Sequence, residues 1–182
     1  LKFDPQNAIT FNNRGLSKFK LGKPEEAIKD YDEALKLDQE FSLALSNRGL
    51  AKDELERYEE AIKDYDEALK LDSQNAITFN NRGLSKSKLG KPEEAIKDYD
   101  EALKLEPKDH TVLTNRGLAK YNLNKCEEAI KDYDEALKSE PQSAIALANR
   151  GAAKDELERY EEAIKDYDEA LKLDSQDANA FN

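Results

Sequence analysis

Residues 25–36 read EEAIKDYDEALK, and the same twelve residues return unchanged at 59–70, 93–104, 127–138 and 161–172. Within the string Ala27, Ile28, Tyr31, Ala34 and Leu35 fall at i, i+1, i+4, i+7 and i+8, a single apolar stripe at helical period. The string reads as an amphipathic helix, and its fivefold return at a 34-residue interval sets the architecture. The tripeptide Asn-Arg-Gly keeps the same interval, beginning at Asn13, Asn47, Asn81, Asn115 and Asn149. Five repeats follow: 8–41, 42–75, 76–109, 110–143 and 144–177. Leu1–Asn7 reads as the end of a preceding repeat and Ala178–Asn182 as the start of a following one. The chain reads as a single array cut from a longer one, and its lack of methionine fits that reading.

Each repeat reads as two helices. In the first, a helix is expected from Ala8 to about Leu21, a break at Gly22-Lys23, and a second helix from Pro24 to about Leu37. Pro24 and Pro92 suit a first helical turn, where the missing N–H has no partner to lose. Asn7, Asn75, Asp109, Ser143 and Asp177 stand where the caps of first helices belong, with Ser42 taking that role beside Phe41. Glu25–Lys29 and Asp32–Lys36 have the spacing of helical ion pairs.

One helix pair cannot bury its own stripe. Neighbouring pairs must bury it by stacking, which makes an all-α solenoid of antiparallel helix pairs. The glycines at 15, 49, 83, 117 and 151 mark close helix approach, and the tyrosines at 31, 65, 99, 133 and 167 read as knobs wedged between paired helices.

Composition narrows the function. Charged residues make up 38% of the chain, and 40 acids against 29 bases give a net charge of −11. Such a chain repels phosphate backbones, so nucleic acid is a poor partner. No apolar run reaches membrane-spanning length and no signal-peptide pattern opens the chain, so the expected setting is cytoplasmic. A single cysteine, Cys126, and a single histidine, His110, exclude a disulfide framework, cysteine-rich metal sites and most histidine-based catalysis. No phosphate loop, nucleophile elbow or zinc motif is present, so neither an enzyme nor a cofactor is expected. Cys126 reads as a helix-junction hydrophobe and His110 as a surface residue. The five EEAIKDYDEALK copies carry −15, so the remainder of the chain is +4.

These features resemble the tetratricopeptide repeat family across essentially the whole chain. The resemblance rests on the 34-residue period, Phe11/Leu45/Phe79/Leu113/Leu147 with a glycine four residues later, the Ala-x-x-x-Tyr-x-x-Ala of the second helix, and Pro5, Pro107 and Pro141 near repeat ends. Two positions depart from the family pattern. Arginine (Arg14, Arg48, Arg82, Arg116, Arg150) replaces the usual leucine before the glycine, and lysine (Lys18, Lys52, Lys86, Lys120, Lys154) replaces the usual tyrosine after it. A half-buried cation needs a partner, so each arginine is expected to pair with Asp30, Asp64, Asp98, Asp132 or Asp166 of its own or an adjacent second helix.

The resemblance implies a right-handed α-α superhelix whose concave groove, lined by first helices, binds a peptide or protein segment. In the first repeat that groove would show Ile9, Asn12, Asn13, Leu16, Phe19 and Lys20. Asn13, Asn47, Asn81, Asn115 and Asn149 recur at one position, and an amide can serve both the N–H and the C=O of a peptide unit. These asparagines either form a ladder for an extended ligand or bond a neighbouring helix. Phe19/Lys20, Asp53/Glu54, Ser87/Lys88, Tyr121/Asn122 and Asp155/Glu156 vary within the fixed frame. They suit a ligand of mixed charge with an apolar anchor near Phe19 or Tyr121; the other reading is drift on a solvated face. The family's clamp for acidic chaperone tails needs lysine and arginine where this chain has Ile77 or Thr111 and Asn81 or Asn115, so that ligand is not expected. The alternative function is a self-assembling array. The first and last repeats look like interior ones, and no capping helix is expected after Leu173, so the ends could stack head to tail.

Overall fold

A computed structural model of the chain describes residues 5–180, with side chains over 6–173. The described residues form ten helices and no strand. These are α1 (Pro5–Lys20), α2 (Pro24–Leu37), α3 (Ser42–Glu54), α4 (Tyr58–Leu71), α5 (Ala76–Lys88), α6 (Pro92–Leu105), α7 (His110–Tyr121), α8 (Cys126–Ser139), α9 (Ala144–Asp155) and α10 (Tyr160–Ala180). Two compact halves divide the chain, 1–91 and 92–182. In the N-terminal half α2 packs back on α1 and α4 on α3, with the first helices α1, α3 and α5 side by side. In the C-terminal half α8 packs on α7, α10 on α9, and α7 lies beside α9. No described helix is long and apolar enough to cross a membrane.

The helix ends follow local chemistry in most repeats. Pro24 opens α2 with Glu25 and Glu26 in its first turn, favourable at the positive end of the helix dipole. Asn75, Asp109 and Ser143 cap α5, α7 and α9, each accepting a hydrogen bond from a backbone N–H of the first turn. Three of the expected caps are different. Helix α1 already begins at Pro5, so Asn7 lies inside its first turn. Ser42 is the first residue of α3, and Phe41 precedes it without a side-chain bond. Asp177 lies within α10, which runs on past Leu173 to Ala180 instead of ending there. The string LDSQ that turns after α4 at 71–74 is helical at 173–176. The turn is therefore not specified locally; α5 seated on α4 imposes it, and α10 packs only on α9 among the described residues. Leu1–Asp4 and 181–182, parts of the expected flanking repeats, lie outside the described residues.

The glycine and tyrosine positions behave as the sequence suggests. Tyr31, Tyr65, Tyr99 and Tyr133 are fully buried. A Cβ placed on Gly49 would stand 2.7 Å from Cε1 of Tyr65, and one on Gly117 2.6 Å from Cε1 of Tyr133. The ring lies where a side chain would otherwise be. At the tight turn within each pair the backbone is left-handed, with φ 71° at Gly22 and 72° at Gly90. Lys23 N–H closes back on the Lys18 carbonyl at 3.1 Å, a Schellman closure. Glu56, Asn124 and Glu158 occupy the same turn position with φ of 56–58°.

Arginine pairing is the main tertiary bond. Arg116 Nε and Nη2 hold both oxygens of Asp132 at 2.9 and 2.7 Å, and its Nη1 reaches Asp100 of the preceding second helix at 2.6 Å. Arg48 repeats this with Asp64 and Asp32, and Arg150 with Asp166 and Asp134. Arg82 reaches Asp66, and Arg14 holds Asp30. The family-atypical lysine completes the site: Lys18, Lys52, Lys120 and Lys154 bond Asp30, Asp64, Asp132 and Asp166 at 2.6–2.8 Å. The expected Asp32–Lys36 pair is replaced for the same reason. Asp32 is taken by Arg48, and Lys36 turns to Glu33. Asp30, Asp64, Asp98, Asp132 and Asp166 are buried, so the acidity of the repeated string is not all surface coat.

Arg116→Ala would leave Asp132 buried with Lys120 alone, at a cost of about 3 kcal/mol. The variant should unfold at clearly lower denaturant than Arg14→Ala, because Arg14 is 59% exposed and, among the described residues, bonds only its own repeat's Asp30. Glu56→Gly should raise stability by about 0.5–1 kcal/mol by relieving the left-handed turn, and Gly49→Ala should lower it. Urea unfolding at neutral pH checks all four.

Candidate functional site

The first-helix layer carries the residues singled out for binding. In the N-terminal half Ile9, Leu43 and Ile77 project from α1, α3 and α5, and all three are exposed, Ile77 at 69%. Leu16, Leu50 and Leu84 are half-buried seven residues further along each helix. Asn13, Asn47 and Asn81 lie between, four residues after the exposed aliphatics and on the same helix face. In the C-terminal half Leu118 and Ile145 are exposed on α7 and α9, beside half-buried Asn115 and Asn149. An exposed aliphatic stripe flanked by amides offers apolar contact and paired donor and acceptor groups together.

The asparagines do not behave alike. Asn47 Nδ2 donates to Asn12 Oδ1 at 2.9 Å, and Asn12 is buried. Asn12 Nδ2 in turn faces Asn13 Oδ1 at 3.4 Å. Asn47 therefore bonds a neighbouring helix and keeps its carbonyl oxygen and one N–H for a ligand. The Asn81 and Asn149 amides make no side-chain hydrogen bond among the described residues.

The variable pairs also split. Lys20, Glu54, Lys88, Asn122 and Glu156 are exposed. The residue before it turns toward the protein at Phe19, Asp53 and Tyr121. Phe19 packs on the buried cluster of Ala27, Tyr31 and Ala51, and Tyr121 on that of Cys126, Ala129, Ile130, Tyr133 and Ala153. Asp53 accepts a hydrogen bond from Tyr65 Oη at 2.7 Å and another from Ser85 Oγ at 2.7 Å. Phe19 and Tyr121 thus face alanine of the next repeat, whereas Asp53 faces serine. The pairing was present in the sequence as a 32-residue offset, but only coordinates show that these positions touch. Asp155 is exposed.

Electrostatics follows these contacts. Burial pushes the Asp53 carboxyl above its ordinary value, and its two hydroxyl donors only partly offset this. Burial likewise raises the phenol of Tyr31 to about 12, and pushes those of Tyr65 and Tyr133 up as well. Tyr133 has no Asp53 counterpart, since Tyr121 stands there, and its hydroxyl is buried without a hydrogen-bond partner. Asp30 goes the other way, held below the usual range by its hydrogen bond to Arg14. Burial raises the Cys126 thiol, so it is a weak nucleophile. Cys126 is buried at the start of α8 and His110 is exposed at the start of α7, as expected.

A family model described as "Tetratricopeptide repeat" matches residues 12–76 and 114–178, and a second of the same description matches 76–109. No curated protein sequence matches. Among solved structures, MamA from Desulfovibrio magneticus RS-1 is 19% identical, with a TM-score of 0.85 over 93% of this chain and 96% of that one. YrrB, reported as "a TPR protein with an unusual peptide-binding site", is 26% identical, with a TM-score of 0.76 over 91% of this chain and 86% of the other. The first TPR of Spaghetti (RPAP3), bound to the HSP90 peptide SRMEEVD, is 30% identical, with a TM-score of 0.65 over 66% of this chain and 98% of the other. The all-α helix-pair fold expected from the sequence is the fold of these proteins.

Asp53→Asn gives a pH test. A buried carboxyl whose folded pKa is raised costs nothing below the unfolded value of 3.8, where both states are protonated. Its cost develops as pH rises through the window between that value and the raised folded one, and is constant above it. The asparagine can keep both hydroxyl contacts. The variant should therefore match the wild type in acid and melt higher at neutral pH, with the gap opening across that window in a series of thermal melts.

Proposed function

The chain belongs to the tetratricopeptide repeat family, and we propose that it is a protein-interaction scaffold holding a peptide or extended protein segment on its first-helix layer. The observation that carries this is the exposed stripe of Ile9, Leu43 and Ile77 on α1, α3 and α5, with Asn81 beside it making no side-chain hydrogen bond among the described residues. Large aliphatics exposed in register on adjacent helices need a partner surface more than scattered ones do. Similar proteins that bind peptides, YrrB and the RPAP3 domain, support the reading.

The ligand's chemistry follows from the exposed member of each variable pair. In the N-terminal half Lys20, Glu54 and Lys88 alternate in sign, which favours a segment with both acids and bases around an apolar core. A mainly acidic tail such as SRMEEVD, the peptide on the RPAP3 domain, fits poorly: the family resemblance implies cations for such a tail where this chain has Ile77 and Asn81. Asn81 and Asn149 are the amides best placed to serve a ligand backbone, with Asn13, Asn47 and Asn115 in support. Asn122 extends the same face in the C-terminal half. Phe19, Asp53 and Tyr121 shape the face from beneath. We place the protein in the cytoplasm, assign it no reaction, and favour protein over nucleic acid or membrane as its partner.

Capture from lysate by the wild type should yield a partner that Ile77→Lys and Asn81→Ala each retain about tenfold less well, a loss of about 1.4 kcal/mol. Neither side chain bonds another, so melting temperatures should not move by more than a degree or two. Equal capture by both variants would remove this face from the reading.

A further inference from the structure

The exposed side chains of the N-terminal half recur at a step that selects one ligand conformation. Ile9, Leu43 and Ile77 hold one position on α1, α3 and α5, and these helices lie side by side. Packed helices run about 8–10 Å apart, so a chain laid across them meets an aliphatic side chain at that interval. A β-strand returns side chains to one face after about 6.6 Å. An α-helix does so after one turn, about 5.4 Å. Polyproline II does so every third residue, about 9.3 Å. Of the three, polyproline II matches the step with consecutive turns.

Two further rows on the same helix face agree with that choice. Asn13, Asn47 and Asn81 follow the aliphatics by four residues, about 6 Å along each helix. A polyproline II chain makes no internal hydrogen bond, so its peptide groups need outside partners, whereas an α-helical ligand has already paired its own. The Asn81 amide makes no side-chain hydrogen bond among the described residues, and Asn47 keeps its carbonyl oxygen and one N–H. One amide per helix thus serves one ligand residue in three. Lys20, Glu54 and Lys88 lie seven residues beyond the asparagines, about 10 Å further, and all three are exposed. None of them forms an ion pair among the described residues. A ligand carboxylate facing either lysine, or a ligand ammonium facing Glu54, spans that distance together with the protein side chain.

We propose that the α1–α3–α5 face binds a polyproline II segment of three tripeptides, each with one aliphatic, one charged and one solvent-facing residue, its charges running acid, base, acid. The three edges of the ligand divide the work. The aliphatic edge lies on Ile9, Leu43 and Ile77, the charged edge points to Lys20, Glu54 and Lys88, and the third edge is free to hold proline. The order acid, base, acid reads the same from either end, so it fits whichever way the ligand chain runs. At α7 the corresponding positions are Thr111 and Asn122, neither aliphatic nor charged, so the full pattern belongs to the N-terminal half. This inference rests on the reading of the first-helix layer as a peptide-binding face, and adds the ligand's conformation and sequence period to it.

Calorimetric titration of the 182-residue chain with three acetylated and amidated peptides tests this. The first, IEPIKPIEP, carries the proposed pattern. The second, IEIKIEPPP, has the same composition with its aliphatics at strand period. The third, IKPIEPIKP, inverts the charges. The first should bind, and the other two about tenfold more weakly or less. The triple variant Lys20→Glu/Glu54→Lys/Lys88→Glu should reverse the preference between the first and third peptides. Its three sites are exposed, so its thermal melt should match the wild type and the comparison stays one of binding. Failure of IEPIKPIEP to bind, equal binding of IEIKIEPPP, or a charge preference that the triple variant leaves unreversed would each overturn the proposal. Lysate capture that still depends on Ile77 while IEPIKPIEP fails removes this ligand and keeps the face. Capture indifferent to Ile77→Lys, together with that failure, removes both.

Discussion

One buried carboxylate in each repeat holds the helix pairs together. Asp64 gives both oxygens to Arg48 and one also to Lys52, so a charge that burial alone would penalise by several kcal/mol is met by two cations from the facing helix. The guanidinium has a third nitrogen, and Nη1 spends it on Asp32 of the preceding repeat. One side chain therefore closes its own pair and ties it to the last. Lysine could not do both, because only the planar fork presents donors in two directions at fixed angles. The family's usual leucine would bury apolar area instead. Here the same position carries hydrogen bonds with defined partners, and those fix which helix follows which.

The tyrosine beside that aspartate sets the second constraint. Tyr65 fills the space over Gly49 so closely that no other residue fits there. Asp64 and Tyr65 are adjacent on α4, so the ion cluster and the aromatic knob are delivered by one turn of helix. The central turn of EEAIKDYDEALK is thus committed on two sides at once. Repeats coupled so strongly to neighbours make a chain whose stability resides in junctions as much as in pairs.

Much of this was legible in the sequence. The 34-residue period, the helix boundaries of α2 and its copies, the glycine–tyrosine approach and the arginine–aspartate pairing all follow from residues that recur, because recurrence separates constrained positions from tolerant ones. What failed was local. Asn7, Ser42 and Asp177 have capping chemistry but do not cap, since tertiary contacts and not the dipeptide decide where a helix starts. LDSQ makes the point sharply, being a turn after α4 and helix in α10. Recurrence alone does not separate the asparagines. Asn47 is held by Asn12, whereas Asn81 has no such bond, and no feature of the shared tripeptide distinguishes them.

The variable positions carry a different kind of information. Phe19, Asp53 and Tyr121 read in sequence as a ligand's specificity residues, yet each touches the residue 32 places on. Aromatic meets alanine at Ala51 and Ala153, and carboxylate meets hydroxyl at Ser85. A Phe facing Ser85 would leave its hydroxyl only the Asn81 carbonyl, and an Asp facing Ala51 would bury a carboxylate with one donor fewer. The repeats are thus alike in what holds each pair and unlike in what each accepts as a neighbour. Tyr133 shows that the matching is incomplete: its hydroxyl lacks an acceptor because Tyr121 stands where an aspartate would serve it, and the aromatic contact with Ala153 is kept in exchange. Order along the array is therefore written at these junction pairs, which leaves the next residue outward, Lys20, Glu54, Lys88 or Asn122, free to differ without disturbing the stack.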